Sequence, residues 1–229
     1  MVAVDLSTTL AAVVLAHPEC AHVLRTHRLD YCCRGSLTIA EACVGKGLDA
    51  AALLDELAAT VGTHPRRGSP DARDLSRSEL IDCLRDAHRR SVRHATRVVG
   101  PLLLDVARTR DDELDELVDV FHALVALLKP HVEEEDAVLF PELLSRSCSV
   151  SRIHRDLHAL RQEHFVIGDR LAYVRSLTDG FAFPSGSDVG YLTLMRELSS
   201  FDEHLRACVH LENHVLLARL AASRRSAHG

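Results

Sequence analysis

The sequence predicts an all-α protein, with a small N-terminal helical domain followed by an up-down four-helix bundle. The 229 residues are 47% hydrophobic and 26% charged, as in a folded soluble protein, and the helix-forming residues Leu, Ala, Arg and Glu dominate. Apolar residues recur at spacings of three and four along most of the chain, which is the period of an amphipathic helix. A chain of this length can bury a proper core.

The N-terminal part is predicted to hold four short helices. Helical periodicity appears around residues 6–16, 19–28, 36–45 and 49–61. Asp49 is a plausible N-cap of the last of these helices, and Gly62 is a plausible stop. The stretch from Thr63 to Asp71 is rich in Pro, Gly and charge, so it predicts a linker.

Four longer helices are expected after the linker, near residues 75–108, 112–145, 150–177 and 188–221. Their short connections favour antiparallel packing in one bundle. The sequence therefore predicts an N-terminal domain, a linker, a bundle and a tail, at residues 1–62, 63–74, 75–222 and 223–229.

Composition also limits the partners and the compartment. The formal net charge is −6, so no broad basic surface indicates a nucleic-acid partner. No apolar run approaches the roughly twenty residues of a membrane span. The apolar run at residues 10–16 lacks the flanking residues of a secretory signal, so we expect a short helix there. The odd number of scattered cysteines, seven, suits a reducing cytosol and predicts a cytoplasmic protein.

The most informative motif is His131-Val-Glu-Glu-Glu135. On a helix its first and last side chains share one face, about 5–6 Å apart at Cβ, so they can bind one metal ion or form an exposed polar pair. The apolar run that follows predicts that this helix is buried one turn later. Pro130 directly precedes the motif, so the helix is expected to break or bend there.

The predicted bundle carries one candidate ligand group on each helix. His88 lies on the first, His131 and Glu135 on the second, His164 on the third and Glu212 on the fourth. Helical bundles build metal sites in their cores from such groups. Imidazoles with carboxylates suit iron, manganese or zinc, and two iron ions are the first choice.

Four motifs resemble one known family, the iron–sulfur cluster repair di-iron proteins. The segment Leu29-Asp-Tyr-Cys-Cys-Arg-Gly35 is similar to the family's Asp-Phe/Tyr-Cys-Cys-Gly-Gly motif, with Arg34 replacing one glycine. The other three are His131 to Glu135 with Leu-Phe-Pro141, Gln-Glu-His164 with Gly168, and Leu-Glu-Asn213. The resemblance covers nearly the whole chain and implies a hemerythrin-like bundle after an N-terminal domain with a cysteine pair.

The resemblance also implies roles for individual residues. It implies that His88, His131 and His164 are iron ligands. His94 is the alternative to His88 as the ligand from the first helix of the bundle. Glu135 and Glu212 would bridge two iron ions in an oxo- and carboxylate-bridged, non-haem centre. For Cys32 and Cys33 it implies a redox or iron-transfer role, whereas adjacent cysteines are otherwise often plain packing residues.

Besides Arg34, a second position departs from the family. The family has a histidine four residues before the last bridging glutamate, and this chain has Cys208. Three outcomes are open: Cys208 binds iron as a thiolate, the iron keeps an open position, or a register change recruits His204 or His210.

The implied function is repair of iron–sulfur clusters damaged by nitrosative or oxidative stress, through iron donation, nitric oxide handling or both. The partners would be damaged iron–sulfur proteins and a diatomic ligand, nitric oxide or dioxygen. Two alternatives stay open: a hemerythrin-like protein that binds or senses oxygen, nitric oxide or iron without turnover, and a scaffold that has lost its metal. Also open are a nitric oxide reductase-like or other redox activity, iron against zinc occupancy, the client proteins, and a homodimer formed through the small domain.

Overall fold

The computed structural model describes residues 4–63, 71–110, 112–145 and 150–225, and within the last range the side chains of residues 157–222. Regular structure in these ranges is helical, apart from one isolated β-bridge between Thr9 and Thr38. This confirms the predicted all-α class. Among the described residues, no helix has both the length and the apolar character needed to span a membrane.

The chain divides into two compact units. The first contains Met1–Asp74 together with His210–Gly229, and the second contains Leu75–Val209. The sequence predicted one bundle over residues 75–222, so the structure draws the C-terminal boundary differently. The reason is local: the side chains of His210, Asn213 and His214 contact the backbone near Cys32, in the first unit.

The first unit begins with four short helices, α1 Leu10–Ala16, α2 Ala21–Thr26, α3 Ile39–Lys46 and α4 Ala50–Thr60. The Asp49 side chain accepts hydrogen bonds from the N–H groups of Ala51 and Ala52, which is the predicted N-cap. Thr38 forms a capping box with Glu41 at the start of α3. Buried leucines and isoleucine, including Leu24, Ile39, Leu53 and Leu57, form its apolar core.

The second unit is built from α5 Arg77–His94, α6 Gly100–Ala107, α7 Asp115–Glu134, α8 Phe140–Leu144, α9 Val150–Leu177 and α10 Val189–Leu211. Helix α7 packs against α5, α6 and α9. Phe121 of α7 meets Phe201 of α10 edge to face, with ring centroids 5.6 Å apart. Helix α7 continues through Pro130, so the break, one of the two expected outcomes there, is absent.

Three π-helical segments interrupt the longer helices, at Ala95–Val99, Glu135–Leu139 and Glu212–Leu216. Each is closed by an N–H that donates to the carbonyl five residues earlier. The third joins α10 to the last helix, α11 Leu217–Arg225. Single-turn π segments are frequent at functional sites. Two of the three segments begin at a predicted metal ligand, Glu135 in one and Glu212 in the other.

Candidate metal centre

Glu135 is the centre of the arrangement in the second unit. It begins a π segment at the end of α7, and its side chain is only 2% exposed. Its Oε2 lies 3.2 Å from Nδ1 of His88 on α5. Its Oε1 lies 3.6 Å from Nε2 of His131 and 4.0 Å from Nε2 of His164 on α9. The two oxygens of one carboxylate therefore face imidazoles from three helices.

The three histidines are as deeply buried as the carboxylate. Exposure is 2% for His88, 6% for His131 and 0% for His164. The rings of His131 and His164 meet edge to face, with centroids 5.1 Å apart. An ionised carboxylate is costly to bury unless compensating groups surround it. Helix packing therefore holds together polar groups that an apolar core would otherwise exclude.

Glu163 orients one of these imidazoles. Nδ1 of His131 donates a hydrogen bond to Oε2 of Glu163, at 2.7 Å, and the Glu163 side chain is half exposed. This bond assigns the ring proton to Nδ1 and leaves Nε2, which faces Glu135, as the nitrogen with a lone pair. A carboxylate behind a ligand histidine is the usual partner in metal sites.

The π segment is anchored next to its first residue. Asp136 accepts hydrogen bonds from Arg85 and Arg89 of α5, at 2.7 and 2.8 Å. The hydrogen bond from Arg89 and then the guanidinium of Arg85 lower the pKa of the Asp136 carboxyl. This double ion pair ties the segment that carries Glu135 to the helix that carries His88.

The donor set fits a metal ion. Ligand atoms of three buried residues of the second unit, His131, Glu135 and His164, lie within 4.8 Å of one another. Two donors that each lie about 2.1 Å from one ion are separated by roughly 3–4 Å, and the Glu135 contacts, from 3.2 to 4.0 Å, are in that range. Imidazole and carboxylate donors suit iron, zinc or manganese.

A cavity opens beside the carboxylate. Apolar residues of its wall are Val138, Leu139, Ala159 and Leu160. Three further glutamates besides Glu135 line it, Glu134, Glu142 and Glu163. This concentration of negative charge favours a cation over an anion in the cavity.

The structure separates the remaining candidates from this cluster. Nε2 of His94 pairs with Glu197 at 2.6 Å, whereas His88 faces Glu135. Nδ1 of His204 bonds to the Ser200 carbonyl at 2.7 Å, on an exposed face. Cys208 is buried on α10, and it is not one of the residues whose ligand atoms lie within 4.8 Å of those of Glu135.

The cysteine pair belongs to a compact turn in the first unit. Oδ1 of Asp30 accepts hydrogen bonds from the N–H groups of Cys32 and Cys33, at 3.0 and 2.9 Å. The same oxygen lies 3.0 Å from Sγ of Cys32, and the two sulfur atoms are 3.6 Å apart. Cys32 is buried and Cys33 is partly exposed.

Three side chains from the C-terminal segment of the first unit fix this turn from the other side. Asn213 Nδ2 and His214 Nε2 both donate to the Cys32 carbonyl at 3.0 Å, and Nδ1 of His210 donates to the Tyr31 carbonyl at 3.2 Å. Burial, with His214 next to it, lowers the pKa of His210 to about 4, so this ring is neutral near pH 7. His210 is thus a support of the thiol turn.

Sequence reasoning missed the supporting residues. Glu163 directly precedes His164, and Asp136 directly follows Glu135. Their positions next to predicted ligands could therefore have indicated a supporting role. Asn213 and His214 carried no such signal, since their partners are backbone carbonyls almost two hundred positions earlier in the chain.

These features define a class: a helical protein with a buried cluster of histidines and carboxylates suited to a cation. The family model of the hemerythrin HHE cation binding domain matches residues 79–220. The chain therefore belongs to that family. A second model, named ScdA_N and described as a domain of unknown function, matches residues 6–61.

Curated relatives resemble the chain over almost its full length. The iron-sulfur cluster repair protein ScdA of Staphylococcus haemolyticus is 27% identical over 93% of this chain and 97% of its own. The iron-sulfur cluster repair protein YtfE of Yersinia pseudotuberculosis is 28% identical over 92% of this chain and 95% of its own. The iron-sulfur cluster repair protein ScdA of Staphylococcus epidermidis is 25% identical over 93% of this chain and 97% of its own.

Proposed function

We propose that this protein repairs iron–sulfur clusters damaged by nitrosative or oxidative stress and holds two iron ions through His88, His131, Glu135, His164 and Glu212. The observation that carries the proposal is the environment of Glu135, whose two oxygens face imidazoles on different helices. Relatives that match both parts of the chain are named iron-sulfur cluster repair proteins, which supports the repair role.

The proposed roles follow from the contacts. Glu135 would hold the iron ions together with the three histidines, because its Oε2 faces His88 while its Oε1 faces His131 and His164. Glu212 would be a further carboxylate ligand, a role that the family resemblance implies, and its side chain is buried. Bound ferrous ions would supply iron for rebuilding a cluster and an open position for nitric oxide or dioxygen. Glu163 holds the ring of His131 in the tautomer that presents Nε2.

The acidic cavity supports a route for the cation. Glu134, Glu142 and Glu163 line it together with the proposed ligands His131 and Glu135. Carboxylates along a cavity wall attract a divalent cation. Glu163 combines both tasks, because its carboxylate lies on the wall and accepts a hydrogen bond from Nδ1 of His131. A reducing cytoplasmic setting is part of the proposal, since an odd number of scattered cysteines, seven, suits it.

The test begins with protein purified without oxygen. We expect about two iron ions per chain, together with recovery of activity in an iron–sulfur dehydratase whose cluster nitric oxide has damaged. A chain that binds no iron and restores no activity contradicts the proposal. Iron release measured with a chelator during repair separates donation from nitric oxide removal, because only donation empties the protein.

A second candidate function is hemerythrin-like binding or sensing of nitric oxide, dioxygen or iron without turnover. The cavity beside Glu135 favours it, because apolar residues such as Leu139 and Leu160 line it next to a proposed ligand. This function does not need the cysteine pair. The double variant Cys32→Ser, Cys33→Ser with unchanged iron content separates the two: loss of repair favours the first function, and full repair favours the second.

A further inference from the structure

We propose that Asp30, Cys32 and Cys33 form a second metal site, separate from the histidine and carboxylate cluster, which takes a divalent transition-metal ion through two thiolates and one carboxylate. One ligand atom from each of the three residues lies within 4.8 Å of the other two. The proposal that this turn binds a metal ion does not depend on the proposed repair function. The further proposal that the turn transfers iron to a client protein rests on that function.

The spacing of the two sulfur atoms fits one shared ion. The sulfur atoms of Cys32 and Cys33 lie 3.6 Å apart. Two thiolates bound at about 2.3 Å to one tetrahedral ion are about 3.7–3.8 Å apart. The pair therefore needs little movement to become a chelate.

The third donor is in place beside them. Oδ1 of Asp30 lies 3.0 Å from Sγ of Cys32, a distance that a thiol proton spans as a hydrogen bond. When the thiols ionise, two thiolates and a carboxylate face one another, and a divalent cation compensates this charge. Binding of one ion releases the two thiol protons to solvent. Thiolate ligands select zinc, iron or copper over magnesium and calcium.

The turn is held in this arrangement from two sides. Asp30 accepts the backbone N–H groups of both cysteines, while Asn213 and His214 hold the Cys32 carbonyl. Gly35 permits the close approach, because a Cβ there would meet the Tyr31 carbonyl and would lie 2.5 Å from Nε2 of His214. A site whose donors are fixed before binding loses less entropy when the ion arrives.

Three protein donors leave a fourth position of a tetrahedral ion open. Cys33 is partly exposed, so an incoming thiolate can reach the ion there. Such a site exchanges its metal more readily than a closed site with four protein ligands. This is the behaviour expected of a station that passes iron to a client protein.

The test uses the full chain with cobalt(II) as a spectroscopic probe under anaerobic conditions. We expect a near-ultraviolet charge-transfer band from thiolate to cobalt. Cys208→Ser must keep this band, because the proposal assigns it to the turn and not to the bundle. The double variant Cys32→Ser, Cys33→Ser must lose it. A band that persists in the double variant, or that vanishes only in Cys208→Ser, overturns the proposal.

Asp30→Asn tests the carboxylate while its oxygen can still accept the two backbone hydrogen bonds. We expect it to weaken cobalt binding by at least the roughly 10- to 100-fold seen when a supporting partner of a ligand is lost. Unchanged affinity contradicts a ligand role for Asp30. Circular dichroism of each variant shows whether it is folded, and bundle iron measured separately shows whether the proposed function holds.

Alkylation supplies a second measurement. Cys83 is exposed and serves as a matched control outside the turn. Burial raises the pKa of Cys20 to about 11 and also raises that of Cys43, so neither competes for the reagent. We expect cobalt to protect Cys33 and leave Cys83 labelled. Equal labelling of Cys33 with and without cobalt overturns the proposal.

Discussion

The two candidate metal-binding clusters are built in opposite ways. The cluster around Glu135 takes its imidazoles from α5, α7 and α9, and each of its side chains is at most 6% exposed. The thiol cluster takes its donors from four consecutive positions, Asp30 to Cys33, and one of its sulfur atoms is partly exposed. One cluster depends on helix packing, and the other depends on the hydrogen bonds of a single turn.

This difference predicts that the two clusters exchange their metal ions at different rates. Donors buried on several helices can let an ion go only if side chains or helices move, so we expect such a centre to release its metal more slowly than the turn does. A turn with a partly exposed thiol can exchange its metal without unfolding its surroundings. The comparison therefore predicts that changes in the bundle act on metal content, while changes in the turn act on transfer.

The largest expected effect belongs to Glu135→Ala. The variant removes the carboxylate that faces all three imidazoles, so we expect the bundle to lose most of its iron. Iron analysis of anaerobically purified protein measures the loss. The neighbouring exposed glutamate gives the control, Glu133→Gln, which should keep wild-type iron. Equal iron in Glu135→Ala and wild type contradicts a bridging role.

The next effect tests the turn through Gly35→Ala. The added Cβ would meet the Tyr31 carbonyl and would come within 2.8 Å of the Ala11 Cβ, so backbone has to shift. Overpacking of this kind costs about 1–3 kcal/mol in the free energy of unfolding. Urea unfolding and cobalt binding measure stability and the thiol site. In Gly45→Ala, the added Cβ meets no atom within 4 Å, so that variant should be as stable as wild type or more so.

Most of the fold could be predicted from the sequence, because apolar periodicity and cap residues are local. The expected segment 49–61 and the observed helix Ala50–Thr60 differ by one residue at each end, and Asp49 is the cap. The spacing of His131 and Glu135 likewise placed both side chains on one face. These features depend on neighbours within one or two turns.

Other features depend on contacts that periodicity does not encode. A π segment adds one residue to a turn, and the apolar pattern around Glu135 looks the same with or without it. Of the two outcomes expected at Pro130, a break or a bend, the break is absent, because α7 runs on through that residue. The side chain of His210 bonds to the Tyr31 carbonyl, which no spacing within its own helix could show.

A smaller effect is expected for Glu163→Gln, which tests whether support of one ligand matters for retention. The variant replaces the carboxylate that accepts the hydrogen bond from Nδ1 of His131 with a neutral amide. Loss of such a partner lowers metal affinity by about 10- to 100-fold. Competition with a chelator measures the change. Asp169→Asn changes an exposed carboxylate on the same helix and should have no effect. A drop in both variants would assign the effect to general charge instead.

The smallest effect is expected for Cys208→His, which tests whether an added imidazole slows the release of iron from the bundle. Cys208 precedes Glu212 by four residues, the same spacing that joins His131 to Glu135. An imidazole there adds a donor to the buried centre, so iron release to a chelator should slow by about tenfold, which is roughly 1.4 kcal/mol. Cys208→Ser provides the control for loss of the thiol, and cobalt binding at the turn should stay unchanged. If release is equally fast in the histidine variant and in wild type, the residue at position 208 does not set the rate of iron release from the bundle.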